Sequence, residues 1–517
     1  MISALDQLSR DYGTVAELIR AHAAERPERI ALIEGERQLD FAGLDALMDR
    51  IAAALQREGL GPGNAIAIVA SASIEYAAVF LGGLRAGVAV APLAPSSTPE
   101  SLVAMTADAD AAILFLDGGN EAALTGAGVL NQVTARRVRL DTDAFEAWLA
   151  PAGAKPAAVD VHPDAPFNII YSSGTTGTPK GIIQPHKMRW SHVQRASING
   201  YNTERTVALL STPLYSNTTL VIFFPALGWG GTVVLMPKFE VKTYLDLAQQ
   251  HRATHTMLVP VQYSRLMQHP DFDRYDLSSF EAKFCTSAPF GAALKADVVR
   301  RWPGKLIEYY GMTEGGGTCI LQAHAHPDKL HTVGRPAPGH DVRLIDEQGN
   351  EVGPGEVGEI VGHSGTVMVG YHKQPGKTSE AEWYDREGRR FIRTGDMGRF
   401  DADGFLTLMD RKKDMIISGG FNVYPSDIEA VLRGHEAVAE TAVVGMPSER
   451  WGETPVAFVV LKPGASTTSD ALLAFANAQL GKTQRLAAIE ILDSLPRSAI
   501  GKVLKRELRD GFGRRLA

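Results

Sequence analysis

Apolar residues recur at two spacings along this chain, and the change between them divides it. After Asp40, residues Leu44, Leu47, Met48, Ile51 and Leu55 fall three or four apart, which is the period of one buried helix face. Asp40 is the expected N-cap, and Gly59 with Pro62 beyond it marks the end. Short apolar runs at 65–69 and 88–92 read as strands flanking a helix at about 74–85. This alternation predicts an α/β architecture as far as about residue 320. Beyond that point the pattern becomes β-rich, with strands expected at 342–345, 358–361 and 405–408 between Gly, Pro and Asp turns. A charge run, Asp410-Arg-Lys-Lys-Asp414, separates this region from a helix at about 425–433 and strands at 438–446 and 456–461. The last segment has the size of a compact α+β unit.

One stretch, 206–237, contains no charged residue. Pro225, Gly228, Gly230 and Gly231 interrupt it, so it reads as a buried strand-loop-helix-strand passage and not as a membrane span. Composition adds bounds. At 517 residues, with 45% hydrophobic and 21% charged residues and a net charge of −7, the chain is long enough for several domains and has no basic excess for a nucleic-acid backbone. Two cysteines, Cys285 and Cys319, cannot build a disulfide framework or a four-thiolate zinc site. The first ten residues carry an acid and lack an apolar core of signal-peptide length, so a cytoplasmic location is expected.

The segment Tyr171-Ser-Ser-Gly-Thr-Thr-Gly-Thr-Pro-Lys-Gly181 joins two strand-like runs, 167–171 and 181–184. Gly174 and Gly177 allow backbone to approach an anion, Ser172, Ser173, Thr175, Thr176 and Thr178 add hydroxyl donors, and Lys180 supplies a cation. The spacing is not that of the P-loop, and no helix N-terminus follows. It reads as a polyphosphate grip of another kind, with a Ser/Thr/Gly surface linker as the alternative that its place between two apolar strands disfavours.

Further segments suit a nucleotide. Tyr310-Gly-Met-Thr-Glu314 offers an aromatic face for a purine, a hydroxyl for a phosphate oxygen and a hard carboxylate ligand for Mg²⁺. Phe391-Ile-Arg-Thr-Gly-Asp396 ends an expected strand with an acid that can accept from a ribose diol. Lys502, after Gly501, places a cation on a turn, where it can neutralise charge at a phosphate undergoing displacement.

With Thr286-Ser-Ala-Pro289 and Asp410-Arg-Lys-Lys-Asp414, these motifs stand in the order found in the adenylate-forming superfamily of acyl-CoA synthetases, luciferases and nonribosomal-peptide adenylation domains, which the chain resembles from about residue 14 to Leu508. The resemblance implies a large N-terminal adenylation domain, 1–412, made of two α/β sheets and a β-rich subdomain, and a small mobile α+β domain, 413–517. It also implies a two-step reaction. A carboxylate attacks the α-phosphate of ATP to give acyl-AMP and pyrophosphate, and a thiol, usually of coenzyme A, then takes the acyl group. Implied cofactors are ATP and Mg²⁺ with coenzyme A as co-substrate, and implied partners are small molecules, with a homodimer left open.

By the same resemblance, Ser172, Ser173, Gly174, Thr175, Thr176, Gly177 and Lys180 cover the β and γ phosphates. Ser287, Ala288 and Pro289 line the adenine site, Tyr310 stacks on the base, and Gly311 and Met312 complete that turn. Thr313 touches the α-phosphate, Glu314 holds Mg²⁺, Asp396 takes the ribose hydroxyls and Arg411 contacts the ribose region. Lys502 bridges carboxylate and nucleotide oxygens, and Lys413 is the hinge about which the small domain turns. Ser418, Gly419 and Gly420 line a pantetheine tunnel, and Trp451 and Lys482 match coenzyme A contacts in some relatives, although Trp451 taken alone reads more often as a packing residue. Tyr215, Ser216, Gly315 and Gly316 border the acyl site.

Two departures bear on the substrate. Ser216 stands where relatives often carry His, and Lys482-Thr-Gln-Arg485 lacks a proline common two residues after the lysine. Glycines 315 to 317 either leave room for a bulky acid or serve loop closure. Phe223, Phe224 and Met257 are expected to give the pocket an apolar lining, suited to an aliphatic or aryl acid. The leading reading is a free-standing acid:CoA ligase. A catalytically silent nucleotide-binding or scaffolding relative and an adenylating enzyme with another acceptor are the alternatives; a fused nonribosomal module is disfavoured because the chain stops shortly after Lys502. The division of labour gives a test: Lys502→Ala loses most adenylation yet retains thioester formation from supplied acyl-AMP. Equal loss of the two steps refutes it.

Overall fold

Asp40 caps its helix as expected, its carboxylate accepting from the Gly43 amide at 2.7 Å. In the computed structural model, which describes residues 2–172, 180–199, 201–411, 414–418, 421–448, 451–481, 484–498 and 502–516 (without the side chains of 172, 199, 410–411, 421–422 and 514–516), this helix runs Phe41–Arg57 and buries Leu44, Met48, Ile51 and Leu55. It packs on the helix Ile74–Arg85, and Gly82 makes the approach close: a Cβ there would stand 2.6 Å from the Ile51 side chain. The buried Arg85 guanidinium is held between Asp45 at 2.5 Å and Asp49 at 2.9 Å, and Asp49 also receives Lys155 at 2.8 Å. A buried cation with two carboxylates is compensated, and removing either acid would strand it.

The chain divides into two units, the first taking in Met1–His331, Pro336–Asp341 and Gly362–Ile392, the second Thr332–Arg335, Val342–Val361 and Arg393–Ala517. The first unit is α/β. In one of its sheets the strands Lys305–Tyr310, Ala282–Cys285, His255–Leu258, Val207–Leu210, Thr232–Leu235 and Ile30–Glu34 lie side by side, all parallel. Cys319–Gln322 adds antiparallel next to Lys305–Tyr310, and Arg37–Asp40 antiparallel next to Ile30–Glu34. The second sheet has the order Gly370–Tyr371, Lys180–Pro185, Pro166–Ser172, Ala89–Pro92, Ala65–Val69, Ala111–Leu116, Arg136–Arg139. Strands buried on both faces explain the continuous apolar runs in the sequence. The uncharged stretch resolves into the strand Val207–Leu210, the helix Asn217–Gly228 and the strand Thr232–Leu235, with the helix buried along most of its length. Among the described residues no helix is long and apolar enough to cross a membrane. Cys285 and Cys319 are buried free thiols.

The second unit is β-rich and then α+β. Its strand Leu406–Arg411 pairs antiparallel with the later half of Arg390–Phe400, placing Arg411 opposite Asp396. A further sheet, Phe421–Val423, Ile416–Ser418, Gly452–Leu461, Val438–Ser448, with Ala488–Ile491 beside Gly452–Leu461, carries the helices Pro425–Arg433 and Ser469–Asn477. The expected boundary at 412 and 413 lies outside the described residues. One expectation is corrected. Asp396 does not end a strand, because Arg390–Phe400 continues past it through a register irregularity between Asp396 and Gly398, with Gly395 at φ +69°. Such a bulge re-aims a side chain without stopping the ladder.

At the core of the first unit, His186 begins the helix His186–Asn199, is 3% exposed and packs edge-on to the Phe167 ring at 4.9 Å. Its Nε2 finds no partner among the described residues, and burial lowers its pKa to about 4. Between the unfolded value of about 6.5 and that depressed one, the unfolded chain binds the proton and the folded chain does not, so stability falls on acidification through this window. From pH 7 to pH 5 His186 alone removes about 2 kcal/mol of stability. His186→Phe is expected to flatten the fall in melting temperature over that range; parallel slopes in the two proteins would disprove the assignment.

Candidate active site

Three parallel strands of one sheet deliver the first group of candidate site residues. Val207–Leu210 leads into Tyr215 and Ser216, Ala282–Cys285 into Ser287–Pro289, and Lys305–Tyr310 ends on the tyrosine itself. Their common direction puts all three segments at the carboxyl edge of one sheet, where open α/β sheets bind ligands. Ser287 has φ +81°, a conformation that costs a non-glycine residue energy and is tolerated where the surroundings fix it. Its hydroxyl lies 2.6 Å from that of Thr218, which belongs to the helix capped by Ser216. Ser216 in turn accepts from the Thr218 amide at 3.3 Å. Ser216, where relatives often carry His, thus serves as a helix cap. Half-buried Tyr215 has its pKa raised by burial, opposed by a hydrogen bond with Ser96. Phe223, Phe224 and Met257, expected to line the acyl pocket, are fully buried in the core, with Phe224 against Phe80 and Phe167.

The turn after Tyr310 is fixed from several sides. Gln184 Nε2 donates to the Thr313 carbonyl at 2.6 Å, and the Met368 amide donates to the Glu314 carbonyl at 2.7 Å. The Glu314 carboxylate accepts from Tyr371 Oη at 2.9 Å. Burial, then the adjacent Glu314, push the phenol pKa up, so Tyr371 remains a donor. On the ring of the same tyrosine stands Lys180, its Nζ 5.2 Å from the centroid. Lys180, Tyr371 and Glu314 therefore form a short column of cation, aromatic face and carboxylate. One oxygen of Glu314 is committed to Tyr371, and a hard cation would take the other.

The glycines after Glu314 serve backbone packing. Gly315 and Gly316 have φ +78° and +87°; a Cβ on the first would lie 2.4 Å from the Thr366 carbonyl oxygen, and one on the second 2.7 Å from that of Gly362. Of the two readings left by the sequence, loop closure is the one their geometry supports. His340 reinforces the turn: Arg195 Nη1 donates to its Nε2 at 2.8 Å, and its Nδ1 lies 3.1 Å from the Thr318 amide nitrogen and 3.2 Å from the Gly316 carbonyl oxygen. Burial, with Arg195 close by, lowers the His340 pKa to about 4, and the ring is neutral at pH 7.

Beneath these segments lies Arg189, 1% exposed. It donates to the Gln184 side-chain oxygen, to Asn217 Oδ1 at 2.7 Å and to Asn168 Oδ1 at 3.3 Å, and its guanidinium stands 5.9 Å from the ring centroids of Phe167 and Phe224. Among the described residues it has no carboxylate partner. Burial pulls its pKa down to about 9, which still leaves it charged at neutral pH.

In the second unit, Arg393 and Thr394 anchor the segment that presents Asp396. Arg393 Nη2 donates to Glu359 at 2.6 Å, Thr394 Oγ1 donates to the Ile360 carbonyl at 2.9 Å, and the same Oγ1 accepts from the Asp396 amide at 3.0 Å. Strand register sets Ser418 opposite Gly452, next to Trp451, whose amide donates to Ser448 Oγ at 3.3 Å. Lys502 sits in a small hairpin, its amide donating to Ser498 Oγ at 3.2 Å and its carbonyl accepting from the Ser498 amide at 2.8 Å. Ser173, Gly174, Thr175, Thr176, Gly177, Lys413, Gly419, Gly420 and Lys482 lie outside the described residues, as do the side chains of Ser172 and Arg411.

Tyr371, Gln184 and Arg189 were not among the residues expected from the sequence. Tyr371 is remote from the other motifs along the chain, and nothing local marks it. Gln184 carried a signal, a polar residue after Ile182 and Ile183 in a strand, whereas Arg189 lies in a helix rich in polar residues and carried none.

Known proteins place this arrangement. The family model of AMP-binding enzymes matches residues 19–372, and that of the AMP-binding enzyme C-terminal domain matches residues 427–502. The chain is 32% identical to a fatty acid–[acyl-carrier-protein] ligase, ScoC, of Streptomyces coeruleorubidus, with 96% of each chain covered. To an indoleacetate–CoA ligase of Aromatoleum aromaticum it is 33% identical, over 97% of this chain and 98% of that one. The crystal structure of ATP-bound MatB from Rhodopseudomonas palustris superposes with a TM-score of 0.86 at 29% identity, over 96% of this chain and 99% of that one. With its motifs in order along both sequence and fold, the chain belongs to the AMP-binding enzymes, the adenylate-forming superfamily.

Proposed function

We propose that the protein is an ATP-dependent acid:CoA ligase that activates an aliphatic or aryl carboxylic acid as its acyl-AMP and then forms the acyl-CoA thioester, releasing AMP. The observation that carries this reading is the column of Lys180, Tyr371 and Glu314 on the turn that holds Thr313. It supplies a cation for the departing phosphates, a hydroxyl for the α-phosphate and an oriented carboxylate for magnesium. Among the described residues no cluster of three metal-binding side chains exists. A single oriented carboxylate fits a magnesium ion that draws its other oxygen ligands from water and nucleotide phosphates. When bound, the ion neutralises phosphate charge as pyrophosphate leaves.

In the first half-reaction the acid's carboxylate oxygen bonds to the α-phosphorus and the bond to the bridging oxygen of pyrophosphate breaks. Lys180 and Thr313 hold phosphate oxygens, Asp396 accepts from the ribose, and Lys502 neutralises charge where carboxylate and phosphate meet. In the second, the thiol sulfur takes the acyl carbon and AMP leaves, with Ser418, Gly419, Gly420 and Trp451 along the path of the thiol arm. We assign the two half-reactions to domains 1–412 and 413–517 with Lys413 at the hinge.

The acyl-site segments favour an aliphatic or aryl acid over an amino acid. The segments bordering the acyl site, 215–230, 256–263, 286–290 and 311–319, contain one carboxylate, Glu314, which is engaged by Tyr371, and none for a substrate ammonium. The fatty acid and indoleacetate relatives support an apolar acyl group, and ScoC makes a carrier protein the rival acceptor.

Pyrophosphate release with ATP and Mg²⁺ is expected to require octanoate, phenylacetate or benzoate and to be silent with leucine. Repeated turnover is expected only when coenzyme A is added. Nucleotide binding with no acid-dependent release would favour a silent relative, and turnover with a holo carrier protein in place of coenzyme A would reassign the acceptor. A second expectation concerns the metal. Tyr371→Phe should lower adenylation about tenfold and raise the Mg²⁺ concentration needed for half-maximal rate. An unchanged Mg²⁺ requirement would remove Tyr371 from this role.

A further inference from the structure

We infer that Arg189 is a positioning residue for adenylation, acting through Gln184 and Asn217 to hold the acyl-site helix and the Thr313–Glu314 turn in register with the phosphate-loop hairpin. The inference rests on the adenylating activity proposed above and goes beyond it, to a device placed beneath the substrates.

The geometry starts from the hairpin. Pro166–Ser172 and Lys180–Pro185 pair antiparallel with Asn168 opposite Gln184, and both residues are fully buried. Polar side chains at such positions cost free energy unless they are paired. Arg189, on the helix that follows the hairpin, meets both: Nε donates to Asn168 Oδ1 and Nη2 to Gln184 Oε1. The same Nη2 donates to Asn217 Oδ1 at 2.7 Å, at the first residue of the helix Asn217–Gly228 that Ser216 caps. With its oxygen taken by the guanidinium, the Gln184 amide presents its nitrogen to the Thr313 carbonyl at 2.6 Å and to Asn217 Oδ1 at 3.3 Å. The guanidinium thereby fixes the orientation of an amide that would otherwise be free to flip. One planar, multidentate donor ties together the hairpin that bears Lys180, the helix that bears Ser216 and Thr218, and the turn that bears Thr313 and Glu314.

The absence of a carboxylate among the described residues around Arg189 argues against a role in stability alone. A buried ion is held most cheaply by a counter-ion, and the Arg85 site in this same chain has two. At Arg189 the acceptors are three amide oxygens and two aromatic faces, so the charge stays uncompensated beneath the segments expected to hold the anionic carboxylate and phosphates. Lysine could not replace it, since an ammonium lacks the fork that reaches Asn168 along one direction and Gln184 with Asn217 along another.

The test compares half-reactions in full-length Gln184→Glu, Gln184→Met and Arg189→Lys, using the acid with the highest wild-type turnover in the panel above. Gln184→Glu keeps an acceptor for the guanidinium and removes the donor to Thr313, so it is expected to fold and still to lose adenylation. We expect the kcat of pyrophosphate release to fall about tenfold to a hundredfold in both Gln184 variants, with KM for ATP changed less than about threefold. Thioester formation from supplied acyl-AMP should stay within about twofold of wild type, because that step asks nothing of the Thr313 carbonyl. Wild-type rates of adenylation in Gln184→Glu would overturn the inference, as would equal loss of both half-reactions in the Gln184 variants. If Arg189→Lys does not fold, the two Gln184 variants decide the matter. A wild-type protein that makes no acyl-AMP from any acid would instead defeat the proposed function, which keeps the two failures apart.

Discussion

The Glu314 end of the candidate site depends on one backbone-to-backbone contact. A Cβ on Gly362 would fall 2.1 Å from the Gly317 amide nitrogen, and one on Gly315 would fall 2.4 Å from the Thr366 oxygen. No side chain fits between these two stretches, so the chain after Glu314 lies directly on the segment that leads to Gly370–Tyr371. That contact brings Tyr371, more than fifty residues on in sequence, within 2.9 Å of Glu314 and beneath Lys180. Side-chain chemistry at the turn is therefore set by steric exclusion along the main chain. The position of the carboxylate follows from where glycines are.

Around this contact the polar groups are arranged as orienting bonds more than as ion pairs. Arg195 donates to His340, His340 stands against the Thr318 amide and the Gly316 carbonyl, Tyr371 directs Glu314, and Gln184 holds Thr313. Each joins a buried or half-buried donor to a defined acceptor, so each carries geometric information at modest net energy. In the second unit the same logic recurs at Arg393 and Thr394, which fix a strand irregularity from which Asp396 projects.

Most of the α/β framework was legible in the sequence because its elements are set by local rules. The Asp40 cap, the period of residues 44–55, and the apolar runs at 65–69 and 206–237 each name an element without help from elsewhere. Candidate site residues within short motifs could be named for the same reason: Ser287, Thr313, Glu314 and Lys180 sit beside glycines and hydroxyls. What escaped was non-local. Tyr371 becomes meaningful only after a β-bridge between Gly315 and Val367 brings it home. The strand that carries Asp396 past its expected end depends on pairing with Leu406–Arg411, which a run of apolar letters does not encode. The core placement of Phe223 and Phe224, expected at the ligand, follows from helix packing against Phe80 and Phe167.

The arginine beneath the acyl helix also constrains how this chain can change over time. Asn168, Gln184, Arg189 and Asn217 bond to one another, with Asn168 Nδ2 and Arg189 Nη1 left without a partner among the described residues, and replacing any one by an apolar residue strands a further buried donor or acceptor. A descendant with hydrophobic residues at all four positions would be well packed, yet every single-step route to it passes through a chain with an unsatisfied core. These four residues are therefore inherited or lost as a block, and related chains should divide into those that hold the whole set and those that hold none of it.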